Sequence, residues 1–271
     1  IKRISHQVKL LLIFLMIINW GIESVKWKRL ISQTEEITLG NAYQAVLGGL
    51  AVSVFTPNRV GEFLGRVFIL KRTDPLKAIL LTIVGSFSQL LVTIVLGTIA
   101  YIVFATRFLT NMIPDSAWLV SGFSITLVTL SLVMAFAFFN NYVLHRISIL
   151  IPAKYSEKIK ISIEAIATCP KQLLLKVFLL SSFRYIVFST QFYFSIRLMG
   201  LNFTVWQCMM VIPVIYLMLA AIPTVALTEL GVRGSVSVFL FGLLNGSNSL
   251  DAEGALAVVS ASTLIWLINI A

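Results

Sequence analysis

Apolar residues in this chain gather into runs about as long as a bilayer is thick, separated by short polar stretches. A helix needs about 20 apolar residues to cross the hydrocarbon. Four runs meet that length: roughly 8–25, 76–105, 117–139 and 172–198, and a fifth begins near 254 and continues to the end. Two further regions are apolar but interrupted, 39–70 and 204–244. Each reads as an apolar arm, a break at a proline (Pro57, Pro223) and a shorter apolar arm. After the break each carries a glutamate, a glycine and an arginine: Glu62, Gly65 and Arg66 in the first, Glu229, Gly231 and Arg233 in the second. The expected fold is all-α and polytopic, with spanning helices and two broken, re-entrant helical hairpins arranged as an inverted repeat.

Composition strengthens the membrane reading. Of 271 residues, 58% are hydrophobic and only 12% charged, against about 25% charged in a soluble domain. The net charge of +10 could suit nucleic acid, but the basic residues cluster in short stretches between apolar runs, as loops beside anionic headgroups do. The membrane is therefore the expected partner, and nucleic acid is not. Cys169 and Cys208 stand alone, as small apolar residues do. The chain reads as one transmembrane domain over 1–271: a first half to about 139, a connector over about 140–171 and a second half from 172. Residues 145–168, mixing Lys and Glu with Ile, read as an amphipathic helix along the interface. The start at Ile1 and the stop inside an apolar run read as truncation at both termini.

Basic loops face the cytoplasm, which places 71–77 and 140–171 inside, and 106–116 and 245–253 outside. Helix 172–198 then ends outside, so 204–244 must enter and leave on one face. With Lys26, Lys28 and Arg29 inside, 39–70 does the same from the other side. This arrangement puts Lys2, Arg3 and Lys9 outside, against the rule.

Five charges lie where hydrocarbon is expected: Glu62, Arg66, Arg184, Glu229 and Arg233. Each costs about 2.5–3.5 kcal/mol at the bilayer centre, so five unpaired charges approach the ~5–15 kcal/mol that holds a whole domain together. They must face water, one another or a charged ligand. Pro57 would break the first arm while Gly61 and Gly65 let backbones approach closely. Asn58 and the forked donors of Arg59 and Arg66 would meet phosphate oxygens, and Glu62 would balance an arginine or hold an ammonium group. Pro223 and Gly231 play the matching part around Glu229 and Arg233. Glu62–Arg66 and Glu229–Arg233 are also spaced for pairing within a helix, so binding substrate and simply neutralising each other both stay open. Arg184 and Gln191 share a helical face as further candidates. Asn19, Glu23 and Lys26 recur on one side of the first helix, where the flanking Trp20 and Trp27 favour an interfacial anchor.

"NWGIESVKW" (19–27), "TPNRVGEFLGRV" (56–67) and "PTVALTELGVRGS" (223–235) resemble the flippase-like membrane domain of the lysylphosphatidylglycerol synthase family. The order of segments agrees from about residue 8 onward. The resemblance implies a stand-alone member without the soluble aminoacyl-transferase domain, carrying a lipid between leaflets of a bacterial inner membrane. It bears on Pro57, Arg59, Gly61, Glu62 and Arg66, and less closely on Glu229, Gly231 and Arg233.

Nothing nominates a catalytic nucleophile. His6 and His145 lack partners at metal-ligand spacing, "GSFSQ" (85–89) lacks the last glycine of a nucleophile elbow, and no phosphate-binding glycine loop occurs. Glu35 and Glu36 read as solvated neighbours. The expectation is therefore a transporter rather than an enzyme, with no cofactor and no metal, moving a phosphate-bearing lipid through a central polar cavity. A non-transporting component of an envelope lipid or glycolipid pathway and an intramembrane lipid-modifying transferase stand as alternatives. A homo-oligomer or an envelope-pathway partner is left open.

Overall fold

The computed structural model describes residues 2–54, 56, 60–109, 117–140, 169–223, 226–245 and 249–270. All regular structure among them is helical: α1 (Lys2–Ile31), α2 (Leu39–Ser53), α3 (Gly61–Val67), α4 (Pro75–Phe104), α5 (Ala117–Phe139), α6 (Lys171–Leu198), α7 (Val205–Ala221), α8 (Ala226–Gly242) and α9 (Ala252–Ile270). A π-helical turn, Ala105–Leu109, continues α4. Among the described residues, five helical stretches are long and apolar enough to cross a membrane: His6–Ile31, Pro75–Leu109, Ala117–Phe139, Lys171–Leu198 and Ala252–Asn269. The protein is thus an all-α, multi-pass integral membrane protein. The expected interfacial helix at 145–168 lies outside the described residues.

Both interrupted regions are helix–break–helix units. In the first, α2 has 15 residues and α3 only 7, which at 1.5 Å per residue gives about 22 and 10 Å. In the second, α7 and α8 have 17 residues each, about 26 Å. Each arm is shorter than the ~30 Å hydrocarbon core. Each region also opens on a capping threonine. The Asn41 N–H donates to Thr38 Oγ1 at 3.1 Å. Thr204 and Gln207 form a reciprocal capping box, with Gln207 N–H donating to Thr204 Oγ1 and Thr204 N–H to Gln207 Oε1, so two backbone donors at the helix start are satisfied.

The chain divides into two compact units that interleave along the sequence. One comprises Ile1–Asn19, Thr93–Ser131 and Tyr185–Ala271. Its core joins Phe104, Phe192, Ile196, Cys208, Val211, Ile215, Phe241 and Ile265. Gly97 of α4 lets α7 come close: a Cβ there would stand 2.7 Å from Leu217 Cβ and 3.1 Å from Pro213 O. Tyr216 of α7 meets Phe188 of α6 edge-to-face with ring centroids 4.9 Å apart.

The other unit comprises Trp20–Val92 and Leu132–Arg184. Trp27 is fully buried there and its indole N–H donates to Thr82 Oγ1 at 3.1 Å. Trp20 is also buried. The interfacial-anchor reading of these two tryptophans is therefore corrected: they pack α1 into the protein. Helices α2 and α3 pack glycine to glycine. A Cβ on Gly65 would lie 2.6 Å from Gly48 O, one on Gly61 2.6 Å from Val52 O, and one on Gly49 2.8 Å from Glu62 O. Gly61 and Gly65 form the small-residue spacing by which membrane helices bring their backbones together. At the break, Thr56 Oγ1 accepts from Gly61 N–H at 2.7 Å and donates to Ser53 O at 3.2 Å. α4 starts with Asp74 accepting from Leu76 N–H at 2.9 Å, followed by Pro75, which is suited to a first helical position.

Candidate functional site

The membrane-spanning part of α1 carries a glutamate and a lysine three residues apart, Glu23 and Lys26, and both are buried. Neither would persist in hydrocarbon without partners. Other elements of the same unit supply them. Glu23 Oε2 accepts from Lys26 Nζ at 2.7 Å and from Arg184 Nη1 of α6 at 2.9 Å. Its other oxygen, Oε1, accepts from Arg66 Nη2 of α3 at 3.0 Å. Arg66 Nη2 also pairs with Glu62 one turn back on α3. Lys26 Nζ lies 3.3 Å from the Gly85 carbonyl of α4. Three elements, α1, α3 and α6, thus meet at one carboxylate, and α4 joins them through Lys26.

Among the described residues, Lys26, Arg66 and Arg184 bring three positive charges to this centre, and Glu23 and Glu62 two negative ones. Burial is uneven: side-chain exposure is 2% for Lys26 and Arg66 and 6% for Glu23, but 20% for Glu62 and 23% for Arg184. Arg66 Nε, Ser88 Oγ and Ser181 Oγ are buried and make no hydrogen bond. Ser88 lies three residues beyond Gly85 on α4, and Ser181 three residues before Arg184 on α6, the spacing of side chains on one helical face. Guanidinium groups beside such donors suit an anion with several oxygens, which a guanidinium matches in a forked geometry.

The glycines of α2 and α3 position Arg66. Gly49 is flush against that side chain: a Cβ there would come within 3.0 Å of Arg66 Cγ. Only hydrogen at 49 and 65 leaves room for α3 to present Glu62 and Arg66 from this depth.

The second break region lies in the other unit. Arg233 Nη2 donates to Glu229 Oε1 at 2.7 Å along α8. The Arg233 guanidinium carbon stands 5.8 Å from the centroid of the Tyr216 ring, within cation–π range. Arg233 Nε makes no hydrogen bond, and neither does Ser237 Oγ, fully buried one turn further along α8. Gly231 is inside α8, and a Cβ there would meet nothing within 4 Å. Pro223 is exposed at the break between α7 and α8. Gln191 is fully buried and its amide donates to Leu12 O at 3.4 Å. Asn19 donates to Asn269 Oδ1 at 2.5 Å. Pro57, Asn58 and Arg59 lie outside the described residues.

The structure therefore brings Glu62, Arg66 and Arg184 of the expected residues into one centre, and pairs Glu229 with Arg233 in another. It makes Glu23, a lesser candidate in the sequence, the hub. The readable signal was an acid and a base three apart in an apolar helix; flanking tryptophans pointed instead to the interface. Glu35 also does more than solvate. It accepts backbone N–H groups from Lys71, Arg72 and Thr73 at 3.3, 2.9 and 3.0 Å and the Thr73 hydroxyl at 3.1 Å, tying the end of α1 to the approach to α4. The Arg72 N–H foremost, with those of Thr73 and Lys71, holds its carboxyl below the usual carboxylate value.

An all-helical membrane protein with an ionic centre built from its spanning helices and a glycine-packed half-helix is the class that fold and site define. The family model described as the lysylphosphatidylglycerol synthase TM region matches residues 1–271, and the chain belongs to that family. No curated protein and no solved structure matches it.

Proposed function

We propose that this protein carries a phosphate-bearing lipid between the leaflets of a bacterial inner membrane, acting as a flippase-like transporter rather than as an enzyme. One observation carries the reading: among the described residues, two arginines from different helices, Arg66 and Arg184, converge on a single buried carboxylate, Glu23. Charge of this kind inside a bundle marks a substrate path. Membership of a family named for a lipid-modifying synthase, through its membrane region, supports a lipid as the substrate. The headgroup would enter the polar interior while its acyl chains stay in the bilayer. The short arms α2–α3 and α7–α8 would dip into the membrane as re-entrant hairpins of inverted orientation, with 71–77 on the cytoplasmic side.

The test is leaflet-resolved quenching of a fluorescent phospholipid in proteoliposomes. The wild type should accelerate exchange, and Arg184→Gln and Arg66→Lys should slow it by about tenfold or more, the equivalent of one lost interaction of ~1.4 kcal/mol. Equal rates with and without the protein would remove the transport reading. A stoichiometric partner recovered from detergent would then favour a non-transporting role in envelope lipid assembly.

A further inference from the structure

We propose that a groove between α4, α6 and α7 receives the lipid midway across the membrane: one acyl chain lies in the groove, and its ester carbonyl accepts a hydrogen bond from the hydroxyl pair of Tyr185 and Ser189 at the inner end. This rests on the lipid-transport reading above and assigns a second contact for the same substrate, in the unit that does not hold Glu23.

The groove has a volume of about 300 Å³, at the lower end of the range for ligand sites. Leu96, Ile99 and Val103 of α4, Ile186 of α6, and Met209 and Met210 of α7 form its apolar walls. Ile99 and Ile186 are more than half exposed and belong to membrane-spanning stretches, so the open side faces hydrocarbon rather than water. An empty groove forfeits dispersion contacts along its whole lining, and the acyl chains of the bilayer are the material at hand to fill it. The two methionines, unbranched and adaptable, suit a flexible chain. None of the residues lining the groove is charged. It therefore takes the chain and its ester, not the phosphate.

Hydrocarbon alone would call for no hydroxyls, yet Tyr185 and Ser189 line the groove as well. They are 3% and 4% exposed. Standing one turn apart on α6, they reach each other, and neither has a hydrogen-bond partner on another helix. Two hydroxyls bonded to each other leave one O–H still to donate, and a buried donor without an acceptor is costly. The Tyr185 ring is held edge-to-face by Phe188 and by Tyr216 of α7, with centroids 5.0 and 6.0 Å away, so its hydroxyl is fixed where it stands.

Depth names the acceptor. The groove reaches Trp206 at the start of α7, and the Arg107 guanidinium carbon lies 5.8 Å from that ring's centroid, an aromatic and a charge suited to headgroup level. Tyr185 is thirteen residues before Leu198, the nearby end of α6, or about 20 Å along the helix. Half the hydrocarbon is only about 15 Å thick, so the hydroxyl pair stands near the bilayer centre. A resting lipid keeps its ester carbonyls close to its headgroup; a lipid passing between leaflets brings them to this depth.

The experiment offers the full chain two phosphatidylcholines of equal chain length, one with ester-linked and one with ether-linked chains, the latter lacking carbonyls. Binding of short-chain forms in non-ionic detergent is followed by calorimetry, and the fold by thermal unfolding. Wild type should bind the ester form about tenfold tighter than the ether form. Tyr185→Phe combined with Ser189→Ala keeps the ring and removes both hydroxyls, and should bind the ester form as weakly as the ether form. Ala100→Leu fills the groove and should weaken both forms alike; should it fail to fold, Thr190→Leu narrows the same groove. In proteoliposomes, headgroup-labelled long-chain forms should exchange between leaflets in the same order. Equal binding of the two forms by wild type, or an ester preference that survives loss of both hydroxyls, would overturn the proposal. So would unchanged binding in a folded groove-filling variant. An ester preference in binding without protein-dependent exchange would refute the transport reading and keep the site.

Discussion

Gly48 and Gly65 face each other in the α2–α3 hairpin, yet they should respond to alanine in different ways. A methyl on Gly65 would stand 2.6 Å from Gly48 O, 2.7 Å from Gly49 Cα and 2.9 Å from Gly48 C. All three are backbone atoms and cannot rotate away. Carbon contacts are optimal at about 3.5–4.0 Å, so α3 must retreat by about 1 Å. Overpacking of this kind costs about 1–3 kcal/mol, and here the retreat also draws Arg66 away from Glu23, to which it is bonded at 3.0 Å. Gly48 faces the same helix, but its methyl would lie 3.6 Å from Gly65 O, an ordinary contact. Gly231 meets nothing within 4 Å. Alanine there, and to a lesser degree at 48, should stabilise its helix by about 0.5–1 kcal/mol, the usual advantage over glycine. The assay is thermal unfolding of each variant in one detergent, with leaflet exchange measured in parallel. Gly65→Ala should lower the unfolding temperature and the exchange rate, Gly48→Ala should leave both near wild type, and Gly231→Ala should raise the first. A Gly65→Ala protein that unfolds with wild type would refute the backbone contact on which the placement of Arg66 depends.

Glu35 carries a pH effect of definite sign. Its carboxyl is held below its ordinary value by the Arg72 N–H and its neighbours, so its contribution is present above the ordinary carboxylate value and lost as pH falls through the lower folded one. The stability advantage of wild type over Glu35→Gln should therefore be full at pH 6 and fade as pH falls below about 4, read from unfolding temperatures across that range; an advantage that grows on acidification would contradict it. Glu23 and Arg184 should couple in a double-mutant cycle of Glu23→Gln and Arg184→Gln by about 0.5–3 kcal/mol, as contacting residues do; simple additivity in unfolding would refute the pair. Cys169 and Cys208 are buried thiols, not joined in a disulfide, and burial raises the Cys169 thiol above its usual value. Both should resist a water-soluble maleimide at pH 8 until the protein unfolds, as mass spectrometry of the labelled chain would show; rapid labelling of either in the folded protein would contradict its burial.

The spanning helices were legible because length and hydropathy are local. The run expected at 117–139 is α5, residue for residue, and 172–198 differs from α6 by one residue. The breaks were legible for a related reason: proline and paired glycines interrupt an apolar run, and α2–α3 and α7–α8 flank those interruptions. Boundaries were less so. The first helix extends well beyond the expected 8–25 to Lys2–Ile31, because hydropathy ends the apolar run at the charges Lys26, Lys28 and Arg29, although Lys26 is ion-paired within the helix.

The site divides along the same line. Glu62 with Arg66 and Glu229 with Arg233 are four residues apart, and that spacing alone allows the pairing found. Glu23 could not be ranked first by any local rule. Its importance lies in partners 43 and 161 residues away in the chain, and nothing in an isolated helix says which distant cation will arrive. Energetics nonetheless constrains the outcome. An arginine as deep as Arg66, its side chain only 2% exposed, cannot be held by Glu62 alone once its neighbours add two further cations. Breaking one member out of a buried ionic group costs about 3–5 kcal/mol, so a second acid had to be found somewhere in the helices packed around α3. Asp and Glu within the apolar runs are few enough that Glu23 was the available choice in the first half. The counting that flags charges in hydrocarbon therefore becomes more informative when the signs are summed: an excess of cations in a run of spanning helices asks for an acid, and Glu23 is the acid that the described residues supply.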